Sequence, residues 1–184
     1  MASPTTSRTS GTSRTWRKSA AKNAAHDRRR GFRPLNYLVL IGHIEVLAIL
    51  FERVAVPAAV RSELTDRFAP SIVRNWITQH PEWLEIREIT PEAATALPNL
   101  DKGEREAILL AREMNVEQIL TDDRKARQAA ERYQLEVIGT IGVLDRAAQL
   151  GLLAFSDAFA KLAEANFRMS PSFQRAILDR IKGR

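Results

Sequence analysis

From Pro34 onward the chain alternates short apolar runs of strand length with longer segments of helical periodicity. Arg53–Val56 is β-branched and stops at Pro57, Trp83–Ile89 alternates large apolar and charged residues, and Val116–Thr121 and Glu136–Ile138 are further short runs. Between and around them the spacing predicts helices over Ala58–Thr65, Ser71–Gln79, Lys102–Met114, Arg124–Tyr133, Ile141–Leu150, Ser156–Ala165 and Pro171–Ile181. One apolar helix over Leu35–Phe51 is expected to lead them, with Pro34 at its first turn, and Pro91–Ala96 reads as a short helical or turn segment. Short strands alternating with helices indicate α/β with a parallel sheet. Asp101, Ser156 and Ser170 stand where helix caps are expected. There is no internal repeat, and Gly139 and Gly142 are too few for a phosphate-cradling loop.

Composition narrows the function classes. The 184 residues include no cysteine, which excludes a disulfide scaffold and thiolate chemistry. No apolar stretch approaches the ~18 residues of a membrane span, so a cytoplasmic location is expected. The formal charge of +6 suggests a polyanion partner, but it is unevenly placed. Residues 1–33 hold nine Lys or Arg against the single acid Asp27 and net +8, whereas the other 151 residues carry 19 bases and 21 acids and net −2. The leading segment has few large apolar residues and is expected to be a disordered basic tail before a domain at 34–184.

The acids stand in a pattern of their own. Asp122 and Asp123 follow an apolar strand directly, Asp101, Glu104 and Glu106 open one helix, and Glu63 lies on the helix after the Val54–Val56 run. Sites in open parallel sheets form at the carboxyl ends of strands. Carboxylates gathered there repel one another, and a hard divalent cation is the usual resolution, with phosphodiester hydrolysis a chemistry it supports. Capping explains Asp101 and Asp123, the helix dipole explains Glu104 and Glu106, and each acid taken alone reads more readily as structural than catalytic. Arg124, Lys125 and Arg127 beside the acids suit a phosphate backbone or a solvated helix face. His43 and the pair Trp76 and Trp83 read as packing residues.

Several stretches, in order, resemble the PIN-domain family, in a VapC-like branch of prokaryotic proteins. They are Pro34-Leu-Asn-Tyr-Leu-Val-Leu-Ile-Gly-His43, Val56-Pro-Ala-Ala-Val-Arg-Ser-Glu-Leu64, Leu100-Asp-Lys-Gly-Glu-Arg-Glu-Ala-Ile108, Leu120-Thr-Asp-Asp-Arg-Lys-Ala-Arg127, Val137-Ile-Gly-Thr-Ile-Gly-Val-Leu144 and Asn166-Phe-Arg-Met-Ser-Pro171. The resemblance covers residues 34–182. It implies a Rossmann-like three-layer α/β/α domain and a Mg²⁺- or Mn²⁺-dependent ribonuclease, the toxin of a toxin–antitoxin pair with a small antitoxin partner. By the matching motifs Glu63, Glu106 and Asp123 would be catalytic metal ligands, with Asp101, Glu104 and Asp122 assisting. The apolar stripe Phe173, Ile177, Leu178 and Ile181 would cap the sheet or form a homodimer contact.

One departure stands out. The family opens with a hydrophobic central strand ending in the first acidic ligand, just before the Pro-Leu motif. Here Pro34-Leu35 follows Gly31-Phe32-Arg33, preceded by His26-Asp27-Arg28-Arg29-Arg30. The genetic code permits an explanation. His26–Arg33 can be written CAT GAT CGT CGT CGC GGA TTC CGG; one base later the string reads Met-Ile-Val-Val-Ala-Asp-Ser-Gly. Residues 1–33 would then be out-of-frame translation, joined to the domain by a one-base loss near codon 33. As written, the chain is expected to be an impaired nuclease. The alternative is a catalytically inactive PIN-fold module that binds nucleic acid or protein.

Overall fold

The structure, a computed structural model, describes residues 33–90, 97 and 99–182. The basic tail expected over residues 1–33 lies outside them except for Arg33, as does the segment Pro91–Ala96. The described elements are α1 (Arg33–Leu40), α2 (Val46–Phe51), β1 (Val54–Pro57), α3 (Ala58–Thr65), α4 (Ser71–Thr78), β2 (Leu84–Arg87), α5 (Lys102–Glu113), β3 (Gln118–Leu120), α6 (Arg124–Arg132), β4 (Glu136–Ile138), α7 (Thr140–Gln149), α8 (Phe155–Glu164) and α9 (Pro171–Lys182).

The single helix expected over Leu35–Phe51 is two. Gly42 takes φ +72, His43 N–H donates to Leu38 O at 2.8 Å, and Gly42 N–H donates to Val39 O at 3.1 Å. This pair of bonds satisfies the terminal carbonyls of α1 and ends it, and a residue without Cβ takes the left-handed position at no steric cost. An apolar pattern running through the break concealed it. Ser156 does not cap α8, whose N-cap is Ala154, and its hydroxyl turns to Asp157. Ser170 caps α9 as expected, its hydroxyl accepting from Phe173 N–H at 3.2 Å.

All observed strand pairing is parallel, and each parallel pair is joined by a connection long enough to cross over. β1 pairs with β2 in the register Val54–Leu84 to Pro57–Arg87, and β3 pairs with β4 from Gln118–Glu136 to Leu120–Ile138. Among the described residues these are two separate sheets of two strands. Helix α5 packs on both β1 and β3, while α2 packs on β1 and on α7, so helices flank the strands in an α/β/α arrangement. The core is continuous through Leu35, Leu47, Val56, Ile77, Ile108, Leu144 and Leu162, all fully buried. Tyr37 on α1 meets Phe167 edge-on at 4.9 Å, which ties the chain's last third back to its first described helix. In α9 Ile177 is buried while Phe173 and Leu178 remain exposed, and Arg180 pairs with Asp145 of α7 at 2.7 Å. No described helix is long and apolar enough to cross a membrane.

Candidate active site

Helix α5 begins with Asp101 in extended conformation at its N-cap, but the Asp101 side chain makes no capping bond. The cap comes from elsewhere in the chain: Glu63 Oε1, on α3, accepts from Gly103 N–H at 3.1 Å. A Cβ on Gly103 would stand 2.7 Å from that oxygen, so the glycine is what lets the carboxylate approach. Asp123 caps α6 in the ordinary way, Oδ1 accepting from Lys125 N–H at 2.7 Å and Ala126 N–H at 3.0 Å. Its own N–H donates to the buried Thr121 hydroxyl at 3.1 Å. Both helix N-termini thus present partial positive charge to carboxylates, and both carboxylates are held in place.

Glu104, in the first turn of α5, is 5% exposed. Its pKa is pushed up to about 8, first by burial and then by the charges of Asp123, Asp101 and Glu63, with Arg33 acting in the opposite direction. Four acids from three segments of the chain therefore share one field: Glu63 from α3, Asp101 and Glu104 from the start of α5, and Asp123 from the end of β3. Glu63 lies on the helix that follows β1, and Asp123 lies three residues beyond the last residue of β3.

The other expected site residues have partners outside these four acids. Glu106 is buried, pairs with Lys102 at 3.7 Å and is not among the charges acting on Glu104. Helical geometry accounts for this, since two residues along an α-helix is a turn of about 200°. Asp122 binds the N-terminus of α7, accepting from Thr140 N–H at 2.8 Å and Thr140 Oγ1–H at 2.5 Å. Gly139 makes room for it, since a Cβ there would lie 2.7 Å from Asp122 Oδ1. Burial raises the Asp122 pKa, against the Thr140 bonds that favour its charged form. Arg124 and Lys125 are exposed, whereas Arg127 is half-buried and its NH1 donates to Val137 O at 3.5 Å, so the three do not act as one patch. Trp76 and Trp83 pack against each other with centroids 6.2 Å apart, and Trp83 Nε1 donates to Glu45.

Sequence reasoning missed Arg33. It opens α1, its charge acts on both Glu104 and Asp122, and it lines a cleft of about 900 Å³ with Arg127, Arg168 and Arg180. The available signal was Pro34, whose first-turn preference places Arg33 at a helix start.

The donors at the cluster are all carboxylate oxygens, the ligands a hard divalent cation takes, and the raised pKa of Glu104 marks negative charge that such a cation would relieve. In kind the residues fit the metal; among the described residues, however, no three acids or histidines are gathered closely enough to hold an ion. Glu63, Asp101, Glu104 and Asp123 are the residues that would hold it.

No curated protein and no solved structure matched the chain. A family model for the PIN domain matches residues 33–183, the whole of the described fold. The acids grouped around the buried Glu104 thus stand in a chain that belongs to the PIN-domain family.

Proposed function

We propose that the chain is built as a PIN-type ribonuclease dependent on Mg²⁺ or Mn²⁺, the toxin of a toxin–antitoxin pair acting in the cytoplasm and held by a small antitoxin protein. The observation that carries this reading is Glu104, a buried acid held among Glu63, Asp101 and Asp123 with its pKa raised to about 8. The motif match gave the third acid to Glu106 with Asp101 and Glu104 beside it, and of these Glu104 is the one we put at the centre of the group. A bound divalent cation would supply the charge that draws in a phosphodiester and acidifies an attacking water. The chain's own residues supply position: Gly103 N–H fixes Glu63, and the first turn of α6 fixes Asp123. The arginine-lined cleft beside Asp122 offers a path for an RNA backbone.

Position 31 holds glycine where the family carries its first acid, so activity as written is expected to be weak or absent. Calorimetry with Mn²⁺ and cleavage of a mixed RNA pool, on the chain and on Glu63→Gln, Glu104→Gln and Asp123→Asn, tests the reading. Loss of Mn²⁺ binding in all three supports it; Mn²⁺ binding unchanged in all three refutes it.

A second reading has one observation in its favour, the absence of three gathered donors among the described residues. The chain would then bind nucleic acid without cutting it, through its basic leading segment and the arginine cleft. Salt-dependent RNA binding that vanishes on removal of residues 1–33, with no Mn²⁺ binding, distinguishes it.

A further inference from the structure

The last helix, α9, has a slender attachment to the rest of the fold. Ile177 alone among its described side chains is buried, Ile181 is half-buried, and the others are exposed. Its N-terminus is capped from its own flank, by Ser170. Arg180 ties it to α7, the NH2 group donating to Asp145 Oδ1 at 2.7 Å and Oδ2 at 3.0 Å. Phe173, Ile177 and Arg180 follow one another at helical spacing and share one face, and all three line the cleft of about 900 Å³. Gly142, Asp145, Arg146 and Gln149 of α7 line the same cleft, which therefore lies between the two helices.

The chain just before α9 is fixed. Phe167 N–H donates to Leu162 O at 3.0 Å as α8 ends, and the Phe167 ring meets Tyr37 of α1. Arg168 and Met169 then run in neither helix nor strand before Ser170 opens α9. A short irregular link between a fixed point and a self-capped helix is the build of a hinge, where a few residues absorb the change of backbone angles.

The tie at the far end is built to exchange. Arg180 is 45% exposed and Asp145 19%, and an ion pair so open to water is weak. Asp145 also accepts from Gln149 Nε2 at 2.9 Å, so the acid keeps a partner when the arginine leaves. Arginine takes phosphate in the same two-bond geometry that it uses for carboxylate. The cleft offers a phosphate chain further partners in Arg33, Arg127, Arg146 and Arg168, and with Arg180 these outnumber its acids Asp122, Glu136 and Asp145. Phe173, which is exposed, adds a ring on which a base can stack, and that favours a nucleic-acid strand over an acidic peptide.

We propose that α9 is a hinged clasp: a phosphate of an RNA strand lying in the cleft takes Arg180 from Asp145, and the helix closes over the strand. The inference deepens the nuclease reading and rests on it for the identity of the strand. The clasp itself needs no metal.

The test is binding of a fluorescein-labelled uridine 12-mer RNA to the full chain without divalent metal, followed by anisotropy and by amide hydrogen exchange over residues 171–182. RNA should slow that exchange at least fivefold. Arg180→Gln should weaken binding at least fivefold and remove the slowing. Asp145→Asn, which releases the arginine, should tighten binding at least threefold. The double variant separates a latch from a general effect of charge: with Arg180 gone, Asp145→Asn should bring no further gain. An equal gain in both backgrounds overturns the inference, since the acid would then act only through its charge on the cleft. It is overturned as well if the RNA does not bind, if binding leaves exchange over 171–182 unchanged, or if a glutamate 12-mer or uridine monophosphate slows it as much. Mn²⁺ binding judges the nuclease reading separately. The clasp signature without any Mn²⁺ binding keeps the clasp and refutes the nuclease, whereas Mn²⁺ binding with additive variants does the reverse.

Discussion

Glu104 is the residue on which chemistry and stability meet. An acid whose pKa rises from 4.5 to about 8 on folding is bound to its proton more tightly in the native state. The native protein then holds more protons than the unfolded chain above pH 4.5, so this residue's contribution falls as pH rises and its full cost is reached above pH 8. In metal-free protein Glu104→Gln should accordingly leave the urea midpoint nearly unchanged at pH 4.5 and raise stability at pH 9 by ~2–4 kcal/mol. An equal effect at both pH values would mean that the raised pKa is not the cause. Gly103→Ala separates placement from stability. The added Cβ displaces a Glu63 carboxylate 2.7 Å away and breaks its bond to the helix, costing ~1 kcal/mol, while alanine in a helix gains back up to ~1 kcal/mol. Stability should barely move and Mn²⁺ affinity should fall at least tenfold; unchanged affinity would show that the position of Glu63 does not matter. The sequence made the acids legible because strand ends and helix starts are marked locally. It could not distinguish Glu104 from Glu106, since both are buried and only the packing of α3 and β3 decides which carboxylate faces the others.

Elements were legible to within a residue or two wherever they carry their own punctuation. Ala58–Thr65 and Glu136–Ile138 coincide with their expected bounds because Pro57 opens one and a tight turn precedes the other. Leu35–Phe51 did not, because hydrophobic periodicity continues through Gly42 and only backbone conformation reveals the turn. Gly42→Ala should therefore cost about 1–2 kcal/mol, the strain of a side chain at φ +72, although a Cβ there would meet nothing within 4 Å. Gly42→Asn should cost less, since asparagine tolerates the left-handed region. Urea unfolding of the two variants measures the difference; equal, negligible costs would mean that α1 and α2 can straighten into one helix. Capping also crosses between elements in a way no local pattern shows: α5 is capped by Glu63 from α3, and the start of α7 is bound by Asp122 from the end of β3. Each acid therefore joins one segment's position to another's, which is why removing a site carboxylate should be felt in the fold as well.

At the scale of the whole molecule, the positive charge that suggested a nucleic-acid binder belongs mainly to residues 1–33, while the described fold carries the acids. The resemblance to the family puts an apolar strand ending in an acid just before α1, and there this chain is charged. Replacing residues 26–33 by Met-Ile-Val-Val-Ala-Asp-Ser-Gly supplies that strand within the chain and tests the frame explanation along with the site. Burial of the new Ile and Val side chains contributes ~1.5–3 kcal/mol each, of the same order as the ~1–2 kcal/mol per residue for ordering the backbone, so the gain expected is small and positive, carried by the added main-chain ladder. The urea m-value should rise too, because unfolding then exposes more surface. Changing the new Asp to Asn should retain the added stability and abolish Mn²⁺-dependent RNA cleavage, since the strand's packing does not need the charge and the metal does. Were stability to rise in neither replacement, the frame explanation would fail. Were the Asn form to cut RNA as fast as the Asp form, the glycine now at position 31 would not be what impairs the chain.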